Sequence, residues 1–202
     1  MFYSDPFIHD HASSDVDYYN FYQFPNTFTD EEVEFIKQWG ASFEQLPGEI
    51  GDSEELSVDD SIRISTISWI PYTDGTEWIY NRLANCAITA NKEMDWNFHL
   101  TGFGDEMQFT KYFGTDKGHY SWHGDIGPGV PHRKLSIIVQ LSDESDYEGG
   151  LVQLSRGSHT VDVAKEKGTV IVFPSFVLHR VLPVTSGNRQ SLVSWISGPR
   201  MV

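Results

Sequence analysis

The 202-residue chain has a single cysteine, Cys86, which excludes an internal disulfide framework and any cysteine-built zinc cluster. It is also short of positive charge: 14 Lys and Arg stand against 29 Asp and Glu, a formal net charge of −15. A surface that acidic repels phosphate backbones and anionic lipid, so nucleic acid and membrane surfaces are poor partners. No apolar run approaches the roughly 20 residues of a membrane span. The first residues are acidic and aromatic where a secretory signal is basic and then apolar, so a reducing, cytoplasmic setting is expected.

What is present is an ordinary globular composition, with 39% hydrophobic and 21% charged residues. The 13 Phe, 9 Tyr and 6 Trp need a core to occupy, and the length suits one domain over 1–202. Eight histidines in so acidic a protein are where chemistry is sought.

The chain shows no internal repeat. Residues 1–25 read as an arm lying on the domain. Thr29-Asp30-Glu31-Glu32 has the pattern of a capping box, and Val33, Phe35, Ile36 and Trp39 follow at helical spacing up to a stop at Gly40. A second helix is predicted over 75–92, with Ile79, Leu83, Cys86 and Ala90 as its apolar stripe. Between the helices, Glu44 to Asp60 holds Glu44, Glu49, Asp52, Glu54, Glu55, Asp59 and Asp60, the composition of an exposed loop. From Ser61 strands dominate: 62–70, 107–113, 119–125, 134–141, 151–154, 169–173, 179–184 and 190–196, separated by Gly and Pro turns. Many short strands, with helices confined to the front half, predict a mainly β (α+β) jelly roll whose helices pack on one sheet. Residues 1–104 form its helical and strand support region, and 105–198 its core.

Within that core, His123-Gly124-Asp125 is the strongest local signal. Residues i and i+2 of a strand share a face, so this imidazole and this carboxylate can grip one ion, with Gly124 keeping the opposite face small. His179 lies 56 residues on, at the start of another predicted strand. Two histidines and one carboxylate with open positions suit non-heme Fe(II) and O₂. Arg189 opens a strand in which Arg189, Ser191, Val193 and Trp195 alternate onto one face. A guanidinium inside a small barrel stays charged and needs a carboxylate, either an internal Asp or Glu or that of a ligand, the latter helped by the Ser191 hydroxyl. Trp195 reads as core, with a ligand pocket as the alternative. His9, His11, His99, His119, His132 and His159 read as surface or supporting residues.

In this order the pieces resemble the 2-oxoglutarate/Fe(II)-dependent dioxygenases of the prolyl 4-hydroxylase-like branch. The likeness takes in Tyr112-Phe113-Gly114, the run from Gly118 to Asp125, Leu141-Ser142, Tyr147-Glu148-Gly149-Gly150-Leu151, the strand from Gly168 to Pro174, His179, and Arg189-x-Ser191. It implies a double-stranded β-helix with iron held by His123, Asp125 and His179. It also implies 2-oxoglutarate paired with Arg189 and Ser191 and hydrogen-bonded by Tyr112, with O₂ as oxidant and ascorbate as reductant. Procollagen-type relatives have Lys where this chain has Arg189. Oxygen-sensing relatives carry a second tyrosine where this chain has Gln140, which can still donate a hydrogen bond to the co-substrate.

The implied reaction is hydroxylation of a C–H bond, with proline or another peptidyl residue as target and succinate and CO₂ released. The acidic segment 44–60 favours a neutral or basic target. Two alternatives stand beside it: a hydroxylase of free small molecules, and a cupin-like metal-binding module without turnover. Arg189 argues against the module, which has no use for a buried carboxylate clamp.

Overall fold

The computed structural model describes residues 16–51 and 57–200. The expected arm over 1–25 therefore lies mostly outside the described residues, as do His9, His11, Asp52, Glu54 and Glu55. β1 (Tyr22–Phe24) leads into α1 (Asp30–Ser42), followed by β2 (Leu46–Pro47), β3 (Arg63–Ile64), β4 (Thr66–Ile70) and α2 (Glu77–Glu93). The rest is strand: β5 (Gly102–Phe103), β6 (Met107–Phe113), β7 (His119–His123), β8 (Arg133–Gln140) and β9 (Tyr147–Gly149). Then come β10 (Val152–Arg156), β11 (His159–Asp162), β12 (Val170–Pro174), β13 (His179–Val181) and β14 (Val184–Ser197).

The strands form two antiparallel sheets. The larger runs β1-β12-β8-β14-β6-β4-β2, with β5 and β9 added along β14, and the smaller runs β11-β10-β13-β7-β3. This is the double-stranded β-helix the sequence predicts. Among the described residues no helix is long and apolar enough to cross a membrane.

Period-two alternation puts the larger sheet between two cores. In β8, Leu135, Ile137 and Val139 join the helices, together with Val170 and Val172 of β12 and Leu192 and Ile196 of β14. The opposite faces supply Ile138, Ile171 and Phe173, which pack with Val152, Leu154 and Val181 of the smaller sheet. Both faces of β8 are buried, and so its sequence is nearly continuous in apolar residues. The same alternation in β14 turns Arg189, Ser191, Val193 and Trp195 toward the space between the sheets.

α2 buries its predicted stripe, whereas α1 buries Val33 and Ile36 and leaves Phe35 exposed. Glu32 accepts at Oε2 from the Thr29 backbone N–H at 3.0 Å, and Thr29 Oγ1 accepts from the Glu32 N–H at 3.3 Å, closing the capping box. Arg82 of α2 reaches the same carboxylate with bonds of 2.6 and 2.8 Å, tying one helix to the start of the other. Gly40, however, does not end α1, which runs on to Ser42. Gly40 is there for close approach: a Cβ at this position would lie 2.4 Å from Cγ of Phe109, a β6 side chain only 1% exposed. The stretch 62–70 also differs from the single strand expected. It breaks at Ser65, so that β3 pairs β7 in one sheet and β4 pairs β6 in the other.

Because Phe109 is enclosed, Gly40→Ala is expected to lower unfolding free energy by about 1–3 kcal/mol, the usual cost of overpacking. Urea denaturation measures this, and an unchanged midpoint would mean that Phe109 moves freely.

Candidate active site

β7 and β13 are neighbours, and their register sets His123 directly opposite His179. Asp125 is not on the strand, as its spacing suggested, because β7 ends at His123. It is held just beyond the strand end by its own backbone N–H, which donates to Ser175 O at 2.8 Å. Gly124 is not a steric necessity, since the nearest atoms to an added Cβ lie at 3.7 Å. Asp125 Oδ1 lies 3.6 Å from His123 Nε2, and Oδ2 lies 3.6 Å from His179 Nε2. One ligand atom from each of the three residues falls within 4.8 Å of the others.

Hydrogen bonds fix which nitrogens face the gap. His123 Nδ1 is 2.8 Å from Ser121 O and His179 Nδ1 is 3.1 Å from Val177 O. A carbonyl oxygen only accepts, so each Nδ1 carries the proton and each Nε2 presents a lone pair. Burial pushes the His123 imidazole toward its neutral form, and the neighbouring His179 adds to this. At Asp125 burial works against ionisation, but the two imidazoles and the Ser136 hydroxyl outweigh it and hold the carboxyl below its ordinary range. Ser136 Oγ donates to Asp125 Oδ2 at 2.6 Å and lies 3.1 Å from Ser175 Oγ. Two imidazole Nε2 atoms and one oriented carboxylate are the donors that Fe(II) takes, so the residues fit an iron site.

The three line a cavity of about 550 Å³ that also takes in Tyr112, Tyr120, Arg63, Arg189, Ser191 and Trp195. Arg189 is 1% exposed and makes no ion pair among the described residues. Its Nη2 donates to Gln140 Oε1 at 2.8 Å, its Nη1 approaches Ser191 Oγ at 3.4 Å, and its Nε has no partner. Tyr112 is its register partner on β6, with the guanidinium 5.5 Å from the ring centroid. Gly150, at φ +60°, lets the Arg189 stem pass, for a Cβ there would sit 3.0 Å from Arg189 Cδ. Gln140 takes a different part from the one expected. Its Nε2 donates one of its two N–H groups to Ala164 O at 2.7 Å, which turns its oxygen to Arg189, and Gln140 is not among the residues lining the cavity.

The sequence reading missed Arg63, Tyr120 and Ser136, and of its two readings for Trp195, core or ligand pocket, it put core first. Trp195 instead lines the cavity, with Arg133 Cζ 3.7 Å from its ring centroid and its Nε1 buried without a partner. Tyr120 stacks on His123 with centroids 3.5 Å apart and planes 14° apart, and Arg63 Cζ lies 4.6 Å over the other face of that ring. A lone cation between Ile62 and Ile64 is the one signal that could have flagged Arg63. His99, His119, His132 and His159 stand apart from the metal-ligand group.

A double-stranded β-helix with a two-histidine, one-carboxylate set in its cavity is the architecture of a non-heme iron oxygenase. A profile of the 2OG-Fe(II) oxygenase superfamily matches residues 107–197, a little under half of the chain. A PKHD-type hydroxylase of Azoarcus sp. is 37% identical over 87 residues, 40% of this chain and 38% of that protein. Another, from Synechococcus sp., is 44% identical over 81 residues, 38% of this chain and 35% of that protein. The chain thus aligns with well under half the length of these relatives. In fold it is similar to a Pseudomonas putida prolyl-4-hydroxylase, at TM-score 0.68 and 21% identity over 89% of this chain and 92% of the other. It is likewise similar to a Trichoplax adhaerens prolyl hydroxylase in complex with a hypoxia inducible factor peptide fragment, at TM-score 0.64 and 21% identity over 88% and 83%.

Ser136→Ala removes the hydroxyl that orients Asp125 and leaves the ligands in place. Such supporting partners are worth roughly 10–100-fold in metal affinity, and a loss of that size is expected in a titration with Fe(II) under nitrogen. His179→Ala should stay folded and bind iron far more weakly still. Parent-like affinity in the His179 variant would show the ligand set to be wrong.

Proposed function

We propose that the protein is an Fe(II)- and 2-oxoglutarate-dependent dioxygenase that hydroxylates a C–H bond of its target, releasing succinate and CO₂. The observation that carries this reading is the buried Arg189 guanidinium. It has no carboxylate among the described residues and sits in the same cavity as His123, Asp125 and His179. An unpaired buried charge is costly, so the site suits a carboxylate brought by a ligand.

Iron bound by His123, Asp125 and His179 would supply the oxygen chemistry, coupling decarboxylation of the keto acid to insertion of oxygen into the target. The chain's own residues supply the rest. Arg189 takes the distal carboxylate of 2-oxoglutarate, supported from behind by Gln140 and beside it by Ser191 and Tyr112. The two Nδ1 bonds keep both imidazoles oriented with Nε2 toward the gap. Ile138, Val152, Val181 and Val193 form an apolar wall that limits water at the reacting centre.

The target reading is a prolyl or other peptidyl residue, supported by the prolyl hydroxylases among the fold neighbours and by the peptide held in the Trichoplax complex. Leu46, Glu49, Ile50 and Gly51 line the cavity, and Ile50 bridges to Ser57, so the acidic segment forms part of the mouth. Its charge favours approach of a neutral or basic target through encounter rate. A cytoplasmic, single-domain oxygenase with 105–198 as its catalytic core completes the reading.

Arg189→Ala is expected to raise the apparent KM for 2-oxoglutarate by an amount worth about 2–5 kcal/mol, while Fe(II) binding stays near the parent value. Anaerobic addition of 2-oxoglutarate to the Fe(II)-loaded parent should produce a weak visible absorption band that the variant shows only at much higher keto acid. A parent protein that binds Fe(II) and gives no band would defeat the oxygenase reading. Neutralising Glu54, Glu55, Asp59 and Asp60 together should slow target hydroxylation at low salt and leave target-independent succinate formation alone. Equal losses in both would mean that the segment supports the fold.

A further inference from the structure

Arg63 is a second charged guanidinium in the cavity wall, and the co-substrate clamp makes no use of it. It is 6% exposed and makes no ion pair among the described residues. Neutral acceptors hold it: Nε donates to Ser65 Oγ at 2.7 Å, Nη1 to Glu49 O at 3.2 Å and Nη2 to Gln108 Oε1 at 2.9 Å. A guanidinium has five N–H groups, so these three bonds leave two, one on each terminal nitrogen, with the Tyr120 hydroxyl as a near neighbour and a carboxylate as the stronger acceptor. Tyr120 lies under the guanidinium and in turn on His123, which fixes the cation beside the metal ligands.

The charges of the cavity point the same way. A metal-bound imidazole is neutral, so among the described residues the loaded site sets one carboxylate, Asp125, against Arg63 and Arg189. Arg133 is already offset by Asp105, 3.0 Å from its Nε. Fe(II) and 2-oxoglutarate bring equal and opposite charges, so the loaded cavity keeps one positive charge unmatched. Glu49, the other acid lining the cavity, is exposed, and only its backbone oxygen meets Arg63.

We propose that Arg63 anchors an α-carboxylate of the target, so that the hydroxylated unit is a free amino acid or the C-terminal residue of a peptide. The proposal rests on the oxygenase reading and narrows its target. It also agrees with an acidic mouth, because a zwitterion or a basic peptide carries its carboxylate past the hairpin without a net negative charge.

The test uses four probes: a pool of free L-amino acids, a pool of their α-amides, and one library of short peptides made with free and with amidated C-termini. Saturation-transfer NMR on zinc-loaded protein with 2-oxoglutarate reads binding without turnover. Target-stimulated succinate release by iron-loaded protein reads turnover. The free-carboxylate probes should bind and stimulate about 10–100-fold more strongly than their amides, the usual worth of a buried charge-assisted pair. In Arg63→Gln that ratio should fall to near one. If this variant fails to fold, the acid-to-amide ratio of the parent protein decides alone. Response to the amino acids assigns a free metabolite, and response only to free-ended peptides assigns a chain terminus. Equal response to acids and amides overturns the proposal. So does response to amidated peptides alone, or no response to any probe while succinate still forms from 2-oxoglutarate. No succinate and no 2-oxoglutarate binding in any arm overturns the oxygenase reading itself, and the proposal with it.

Discussion

A guanidinium closed inside the sheets without a carboxylate is the constraint around which this fold is arranged. Arg189 reaches that position because β14 is sandwiched between β8 and β6, with one face on the helices and the other on the cavity. Leu192 and Ile196 fill the first core, and so Arg189, Ser191, Val193 and Trp195 have nowhere to go but the second. A one-residue slip would send the cation into the helix-facing core and Leu192 into the cavity. The apolar packing of α1 and α2 therefore holds the polar site in register, although neither helix touches it. Gly150 and Gln140 complete the arrangement, one by making room for the stem and the other by offering an amide oxygen in place of an acid.

The metal end follows the same logic with neutral groups. Pairing of β7 with β13 sets the two imidazoles opposite each other, and a carbonyl two residues back along each chain holds its Nδ1 proton. The carboxylate is the exception, because it stands beyond the end of β7. Its geometry comes from Ser136 on β8 and the Ser175 carbonyl after β12, so the larger sheet aims the ligand that the smaller sheet delivers. Tyr120 and Arg63 brace His123 from the far side, which brings β3 and the tether to Glu49 into contact with the ligand set.

Much of this is legible in the residues because it is local or periodic. The capping box needs four residues, the α2 stripe needs the helical repeat, and β8 and β14 declare themselves by burial on two faces or by alternation. The triad and Arg189 are legible because histidine, carboxylate and arginine are scarce among apolar strands. What the chain hides is long-range. Nothing near Gly40 tells of Phe109, sixty-nine residues away, so a close-approach glycine reads as a helix stop. Ser65 gives no sign that the chain changes sheets there. Gln140 reads as a ligand contact, whereas its oxygen accepts from Arg189 and one of its N–H groups goes to the distant Ala164 carbonyl. Two-residue strands such as β2 and β5 have too little sequence to carry a pattern.

The contrast between the outside and the inside of the molecule is the last step. A net charge of −15 describes a surface that repels anions, yet the cavity is bounded by three guanidinium groups, of which only one has an acid partner among the described residues. A long-range field and a short-range site obey different rules, since salt and water weaken the first within about a nanometre and barely touch the second. An acidic shell over a cationic interior therefore does not choose by net charge alone. It rejects polyanions at the mouth and accepts a single carboxylate where burial makes the contact strong. That division separates the two jobs of the site: the surface decides what may approach, and the buried fork decides which end of it enters first.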